Sequence, residues 1–408
     1  MSEIVITNAN VLDTRTGSLR SGQQIRIQDQ HIVEVGASVG KASDARTIDA
    51  GGRVVMPGLI DAHIHVMAAV NDHARLAKMS PYLVAALAKN ALSDMLRRGF
   101  TTARDAGGAE GGLSDAVRLN LFPGPRLFVP GLALANTGAQ GDFRARPEEI
   151  LGCPTCRMTR SISRIVDGPD NVRLAVREEI MSGAHHIKLM ASGGNTGRTP
   201  IHAAHFTPDE QRAAVEEAVG LGRYVMAHAY GPVAIRRCVD AGVRTIEHGN
   251  LIDPETARYI AGKAYVVPTL VTYEAGLEYS EKLNYTPATY EQVKMVLSRG
   301  LEALRICRDA GVKLGLGTDL EGVVMHCQLR ELAIRSRVET PAQILNSATV
   351  VNAELLMHEG KLGELIPGAF ADLLIVDGNP LEDLSLFQDD GRNIRVTIKD
   401  GHIFKQEV

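Results

Sequence analysis

A regular alternation of short β-rich runs with longer helical stretches is the feature that most constrains the fold of this 408-residue chain. Such alternation is typical of βα units, which build parallel sheets covered by helices. Eight runs can be counted, and eight is the number that closes a barrel. The runs cover residues 59–66, 101–107, 126–134, 186–192, 224–230, 245–249, 264–270 and 314–319. We therefore predict an α/β fold whose main domain is a (β/α)8 TIM barrel.

Glycines mark the ends of several of the intervening helices. Gly99, Gly183, Gly242 and Gly311 each precede a β-rich run by two to four residues. Glycine is favoured just after a helix because that position often adopts a left-handed backbone conformation. We predict that these four glycines terminate helices that lead into the strands through short loops.

The two ends of the chain show a different pattern. Residues 4–8, 25–35 and 47–56 alternate apolar and polar side chains, and segments beginning at Leu362 and Ile394 return to this pattern. Alternation with a period of two predicts strands with one wet face. We expect a small β-sandwich domain built from residues 1–57 plus 361–408, and a barrel domain over 58–360. The long connection at about 135–175 is expected to cover the barrel mouth.

Composition excludes several classes of protein. The net charge is −4, and 45% of the residues are hydrophobic. These values fit a globular protein without nucleic-acid or membrane partners. We expect it to act on a small molecule in the cytoplasm, since the first residues lack a basic region followed by a long apolar run. We also expect a homo-oligomer. Cys153 and Cys156 form a CxxC pair that lacks a second pair, so two thiols in a loop is the simpler interpretation and their role stays open.

Polar side chains occur where the strands of a barrel would end, which is where barrel active sites lie. His63 and His65 should project from the same face of the first strand, although an HxH pair alone is weak evidence for a metal. The other candidates in the later runs are Lys188, His228, His248 and Asp319. Imidazole nitrogens and carboxylate oxygens are common ligands of zinc.

Lys188 is the unusual member of this set. A protonated lysine is a poor metal ligand, but burial beside cations lowers the pKa of its amine. A neutral amine could react with carbon dioxide to form a carbamate, whose two oxygens can bridge two metals. The alternative is a structural lysine in a salt bridge, and for Lys188 alone that would be the simpler interpretation. Tyr230 shares a face with His228 and would either hold substrate or line the barrel.

Six motifs together resemble the amidohydrolase superfamily. The resemblance is closest to its imidazolonepropionase-related branch, which contains Xaa-Pro dipeptidases (prolidases) and related metal-dependent amidases. It spans nearly the whole chain. The motifs are Pro57-Gly-Leu-Ile-Asp-Ala-His-Ile-His65, Arg98-Gly-Phe-Thr-Thr-Ala-Arg-Asp-Ala-Gly-Gly108, Ile187-Lys-Leu-Met-Ala-Ser-Gly-Gly194, Ala227-His-Ala-Tyr230, Ile246-Glu-His-Gly249 and Gly315-Leu-Gly-Thr-Asp319.

The resemblance implies a site with two divalent metal ions, usually zinc. The implied ligands are His63, His65 and Asp319 for one metal and His228 and His248 for the other. Lys188, carboxylated by carbon dioxide, and a hydroxide would bridge the two metals. Asp319 would also be the catalytic residue that takes the proton from the attacking water and passes it to the leaving amine.

One departure from the resemblance affects the predicted substrate. Relatives typically carry a histidine in the segment Thr137-Gly-Ala-Gln-Gly-Asp142, and this chain has Gln140 there. An amide can donate a hydrogen bond but cannot become cationic. We expect Gln140, Tyr230 and Arg198 to bind substrate, with Tyr230 and Arg198 receiving a free carboxylate.

The leading prediction is therefore a hydrolase that cleaves the C–N bond of a dipeptide or an N-acyl amino acid. Carbamates, aryl amides, ureas, phosphotriesters and lactones are alternatives on the same two-metal site. A deaminase of this superfamily would normally lack the lysine, and a non-catalytic member would have lost ligands.

Overall fold

The computed structural model describes residues 3–144, 162–195 and 199–407. Its strands are β1 Glu3–Asp13, β2 Ser18–Gln28, β3 His31–Gly36, β4 Arg46–Asp49, β5 Val54–Pro57, β6 Leu59–Ile64, β7 Phe100–Asp105, β8 Arg126–Phe128, β9 Ala133–Ala135, β10 Ser163–Ile165, β11 Ile187–Met190, β12 Val225–Ala229, β13 Thr245–His248, β14 Tyr265–Val267, β15 Leu373–Val376, β16 Ile394–Lys399 and β17 His402–Gln406.

The helices follow the strands of the central region. They are α1 His73–Leu76, α2 Pro81–Arg97, α3 Gly111–Arg118, α4 Pro169–Met181, α5 Pro208–Gly220, α6 Pro232–Ala241, α7 Pro254–Ile260, α8 Leu270–Glu278, α9 Pro287–Asp309, α10 Arg330–Arg335, α11 Pro341–Asn346, α12 Asn352–Leu355 and α13 Gln388–Gly391. Within the described ranges, no helix combines the length and apolar character needed to cross a membrane.

Strands from both ends of the chain join in one eight-stranded sheet. Its order is β17-β16-β15-β5-β1-β2-β3, and β4 pairs with β1 beside β5. The strand β15 is antiparallel to both β5 and β16, so it ties the first sixty residues to the last forty. The apolar face of these strands forms its own buried cluster, which includes Ile6, Ile25, Val55, Ile375 and Ile398. The predicted association of the two ends is thus present.

The central region contains two parallel sheets. One has the order β6-β7-β8, and the other has the order β10-β9-β11-β12-β13-β14. Helices cover these strands, and a large apolar core lies between the layers. The molecule is therefore a mixed α/β fold with a sheet-rich part made from both termini.

Two of the eight predicted runs differ from the structure. The third run divides into β8 and β9, because Pro130 and Gly131 interrupt it. The eighth run is not a regular strand, although Leu314 makes a parallel bridge with Val266. Its residue Gly317 is needed for close packing, since a Cβ there would lie 2.7 Å from the Cβ of His63.

The helix ends follow the sequence closely. Gly99, Gly183, Gly242 and Gly311 have φ values of 86°, 95°, 93° and 74°, respectively. Each follows α2, α4, α6 or α9, and the prediction that these glycines end helices is confirmed. The predicted connection at 135–175 contains β10 and the start of α4, and residues 145–161 lie outside the described part of the chain.

Candidate metal centre

Three predicted ligands converge at the carboxyl end of β6. The Nε2 atoms of His63 and His65 lie 3.2 Å and 3.3 Å from the same oxygen, Oδ1 of Asp319. One ligand atom from each of these residues lies within 4.8 Å of the other two, a spacing compatible with a single cation. Nε2 of His63 is buried and has no hydrogen-bond partner in the described part of the chain. An orphaned buried nitrogen that faces a carboxylate fits a metal position.

The outward nitrogen of His63, which is the ring nitrogen that faces away from Asp319, contacts a buried ion pair. Its Nδ1 lies 2.6 Å from Oε2 of Glu247, and Nη2 of Arg104 donates to both oxygens of Glu247 at 2.8 Å and 3.0 Å. Burial alone would raise the pKa of Glu247, but Arg104 and then His63 hold it well below its usual range. An ionised Glu247 accepts the Nδ1 proton of His63, so the lone pair of Nε2 faces the site.

His65 is fixed in the same way by a backbone carbonyl. Its Nδ1 lies 3.1 Å from the oxygen of Gly107, which can only accept a hydrogen bond. Burial alone would lower the pKa of His65, but Asp319 opposes burial and raises this pKa to about 9. The surroundings of Nε2 therefore favour a bound cation, either a proton or a metal ion.

A second pair of imidazoles lies beside the first group. Nδ1 of His228 and Nε2 of His248 are 2.9 Å apart. Nε2 of His228 lies 3.1 Å from the carbonyl oxygen of Gly193 and must donate to it, so its Nδ1 presents a lone pair. Nδ1 of His248 lies 2.8 Å from Oγ1 of Thr269. Two ring nitrogens that converge in this way fit a second metal position.

Strained backbone supports this second pair. His248, Thr269 and Asp319 have φ values of 73°, 49° and 54°, in the left-handed region that non-glycine residues rarely adopt. Such conformations cost about 1–3 kcal/mol each and cluster at functional sites. The surrounding packing imposes them, and they turn the side chains of all three residues toward one another.

Lys188 lines the same cavity as the four histidines and Asp319. It lies on β11, and its side chain is almost completely buried. Burial lowers the pKa of Lys188 to about 8, although the carboxylates of Glu247 and Asp319 oppose this shift. A substantial fraction of the amine is neutral at pH 8, which is the form that reacts with carbon dioxide.

The cavity has a volume of about 310 Å³, enough for a small substrate. Gln140 and Tyr230, two of the three predicted substrate contacts, line this cavity. The hydroxyl groups of Tyr230 and Tyr273 lie 2.8 Å apart, and the ring of Tyr230 stacks on His248 with centroids 5.0 Å apart. Arg198, the third predicted contact, lies outside the described residues, as do Cys153 and Cys156.

The sequence alone did not identify Glu247, Arg104 or Thr269. Strand alternation would put Glu247 and His248 on opposite faces, but the left-handed backbone of His248 breaks that alternation. One signal was present, because Arg104 is a charged residue within the β-rich run 101–107, and the strands of a barrel are buried. A buried charge requires a partner, and the search for one leads to Glu247.

The fold and the site together define the class of protein. Parallel βα units carry four histidines, a lysine and an aspartate to one cavity, an arrangement typical of metal-dependent hydrolases. Residues 54–404 match the amidohydrolase family. The chain therefore belongs to the amidohydrolase family, and it is a hydrolase of that family.

Particular relatives resemble the chain over most of its length. A crystal structure of an amidohydrolase is 46% identical, with a TM-score of 0.96 and full coverage of both chains. A prolidase solved with N-methylphosphonate-L-proline is 43% identical, with a TM-score of 0.96 over 99% of this chain and 100% of that one. Ochratoxinase from Aspergillus niger is 30% identical over an alignment 374 residues long, which covers 86% of this chain and 76% of that protein.

Proposed function

We propose that the protein is a metal-dependent hydrolase that cleaves the amide C–N bond of a dipeptide or an N-acyl amino acid, in the manner of a prolidase. The observation that carries the proposal is the convergence of all six predicted ligands on one cavity of about 310 Å³. The similarity to a prolidase at 43% identity supports the substrate class.

The proposal includes a closed (β/α)8 barrel over residues 58–360, with a β-sandwich domain formed by 1–57 and 361–408. Backbone bonds support closure on both sides of the two parallel sheets. Gly315 N donates to Val266 O at 2.9 Å and Ala62 N donates to Leu316 O at 2.9 Å, so the segment 314–319 joins β14 to β6. On the other side, His185 N donates to Val129 O at 2.7 Å, between β8 and β11.

Two divalent metal ions, most simply zinc, would occupy the two groups of nitrogens. His63, His65 and Asp319 would hold one ion, His228 and His248 would hold the other, and a carbamate on Lys188 would join them. Bound divalent ions lower the pKa of water and polarise a carbonyl group.

Asp319 would carry the proton during the reaction. Its Oδ1 faces His63 and His65, whereas its Oδ2 lies 4.0 Å from His248 and is the freer oxygen. We assign Oδ2 as the atom that accepts the proton of the attacking water and delivers it to the leaving nitrogen. Gln140 would orient the substrate carbonyl by donating a hydrogen bond from its amide.

A free carboxylate on the substrate would be bound by Tyr230, with Arg198 as the proposed cationic partner. We expect Ala-Pro to be cleaved roughly tenfold to a hundredfold better than Ala-Pro amide, since a charge-assisted hydrogen bond contributes about 1.5–3 kcal/mol. The measurement is kcat/KM for both compounds with wild type and Tyr230→Phe. Equal values for the two compounds in wild type would contradict carboxylate recognition.

A second candidate is hydrolysis of neutral substrates, such as carbamates, aryl amides or ureas. Gln140 favours it, because this side chain cannot supply the positive charge that a histidine could. Phosphotriesters and lactones could use the same metals. A screen of these compounds beside dipeptides and N-acyl amino acids separates the candidates.

A further inference from the structure

His63 differs from the other three histidines of the site in the partner of its outward nitrogen. The partner of His65 is the carbonyl of Gly107, and the partner of His228 is the carbonyl of Gly193. The partner of His248 is the hydroxyl of Thr269. These three partners are neutral groups, whereas His63 faces the carboxylate of Glu247 at 2.6 Å.

The negative charge of Glu247 is built into the core of the fold. Glu247 and Arg104 are both 0% exposed, and the guanidinium donates to both carboxylate oxygens. Thr245 donates its hydroxyl to Oε1 at 2.5 Å. Arg104 is itself anchored, since Nε donates to Ala62 O at 2.6 Å and Nη1 donates to Thr245 Oγ1 at 3.0 Å. These hydrogen bonds hold the carboxylate with Oε2 directed at His63.

An anionic partner changes what an imidazole can do as a ligand. A carboxylate that accepts the Nδ1 proton keeps Nε2 unprotonated and increases its electron-donating strength. The resulting donor, Nε2 of His63, lies beside Nε2 of His65 and the negatively charged Asp319. Among the described residues, the hydrogen-bond partners of His228 Nε2 and His248 Nδ1 are neutral, and the carboxylate nearest to His248 Nδ1 is Oδ2 of Asp319, at 4.0 Å.

We propose that the Arg104–Glu247 ion pair makes the group formed by His63, His65 and Asp319 the tighter of the two metal positions, so that this position fills first. Glu247 is then a positioning residue that acts through His63. The inference rests on the metal centre of the proposed function, but it concerns the order and affinity of loading rather than the substrate.

Replacement of Glu247 by glutamine keeps the shape of the side chain and removes its charge. If the NH2 group of the new amide faced His63, two donors would meet and the ring proton would move to Nε2, which blocks coordination. If it faced the other way, it would meet the donors of Arg104 and Thr245. Either orientation disturbs the network, and removal of such a partner typically lowers metal affinity by about 10- to 100-fold.

The test is a zinc titration of metal-free protein against a chromophoric chelator at fixed pH. Wild type should bind two zinc ions in unequal steps, and Glu247→Gln should weaken the tighter step by about 10- to 100-fold. Glu339→Gln is the matched control, because Glu339 is another buried glutamate that accepts from two guanidinium nitrogens, those of Arg335, and it has no contact to the four histidines in the described structure. This control should leave both steps unchanged. Circular dichroism checks that each variant is folded.

The position of the tighter step is assigned with single-site variants. His228→Asn should keep one tight zinc, which Glu247→Gln then weakens in the same background. His65→Asn should lose the tight step. An unchanged tight step in Glu247→Gln, or a loss confined to the weaker step, would overturn the proposal. If wild type bound no zinc at all, the proposed function would fail together with this inference.

A measurement on wild type avoids any question of folding. Nitrogen-15 NMR of histidine-labelled, metal-free protein, assigned with His63→Asn, should show the proton of His63 on Nδ1. Protonation of His63 on Nε2 alone would overturn the role of Glu247.

Discussion

Asp319 has two roles in the proposed reaction, metal binding and proton transfer, and each role is assigned to one of its carboxylate oxygens. Oδ1 approaches both His63 and His65, whereas Oδ2 lies 4.0 Å from Nδ1 of His248. Its left-handed backbone, with φ of 54°, gives the side chain this direction. Asparagine would retain one oxygen toward the histidines and lose the basic oxygen.

Asp319→Asn should therefore separate metal binding from proton transfer. General acid–base catalysis contributes about a hundredfold to ten-thousandfold, so kcat on an unactivated amide should fall by at least a hundredfold. Metal content should change little. The loss should be smaller for a nitroanilide, whose leaving group needs less protonation.

Rates, metal content and leaving-group dependence should be measured on the same preparations. If the variant kept both metals and more than about a tenth of the wild-type activity, another base would be required. His248 would be the first candidate, because its ring lies 5.1 Å from that of His63 within the same cavity.

A residue of the site could be predicted from sequence where its own type and its place in a β-rich run indicate its role. His63, His65, His228 and His248 stand out because they occur where the strands of a barrel would end, which is where barrel active sites lie. Glu247 could not be assigned, since its role depends on contacts with residues 184 and 143 positions away in the chain. The side-chain partners of a buried ion pair are a tertiary property.

At the scale of the element, α8 begins without a side-chain cap of its own. Thr269, its N-cap residue, has a left-handed backbone and directs its hydroxyl to His248. Glu331 of α10 substitutes for the missing cap, because its Oε2 accepts the backbone N–H of Val271 at 2.6 Å. The helix that follows β14 is thus tied to α10 by one buried carboxyl group.

Glu331 should make stability depend on pH. Burial, with a smaller contribution from Asp61, raises the pKa of Glu331 to about 7, although Arg335 opposes the shift. Between pH 4.5 and 7 the folded protein keeps a proton that the unfolded chain has released, so the free energy of unfolding falls as pH rises. The fall amounts to about 3 kcal/mol from this group.

The measurement is urea unfolding of metal-free wild type and Glu331→Gln between pH 4.5 and 8. As pH rises over this interval, the free energy of unfolding of wild type should fall by about 3 kcal/mol relative to that of Glu331→Gln. Parallel curves would show that Glu331 ionises normally in the folded protein.

Most elements could be predicted from periodicity and from helix-ending glycines, and the exceptions have physical causes. The eighth run reads as a strand because Leu314 and Leu316 alternate with glycines. Its backbone leaves the strand conformation since Gly317 must pack against His63 and Asp319 must turn toward the histidines. In the sequence, such close packing of backbone against a side chain is indicated only by the glycines themselves.

At the scale of the whole molecule, the sheet formed by the two chain ends is connected directly to the first strand of the βα region. The strand β5 pairs with β15 at Val55 and Ile375 and leads directly into β6, which carries His63. The terminal sheet therefore ends one residue before the strand that presents His63. This arrangement places His63 of the candidate metal centre shortly after a paired region of the terminal sheet.

The central claim is that two metal ions joined through Lys188 form the reaction centre, and metal analysis tests it most directly. Protein purified without chelators should contain close to two divalent ions per chain by mass spectrometry. Lys188→Ala should lose one of these ions and the hydrolase activity together, because the position of His228 and His248 has no third protein ligand without the bridging carbamate. One tightly bound ion in wild type, with metal content and activity unaffected in Lys188→Ala, would contradict the account.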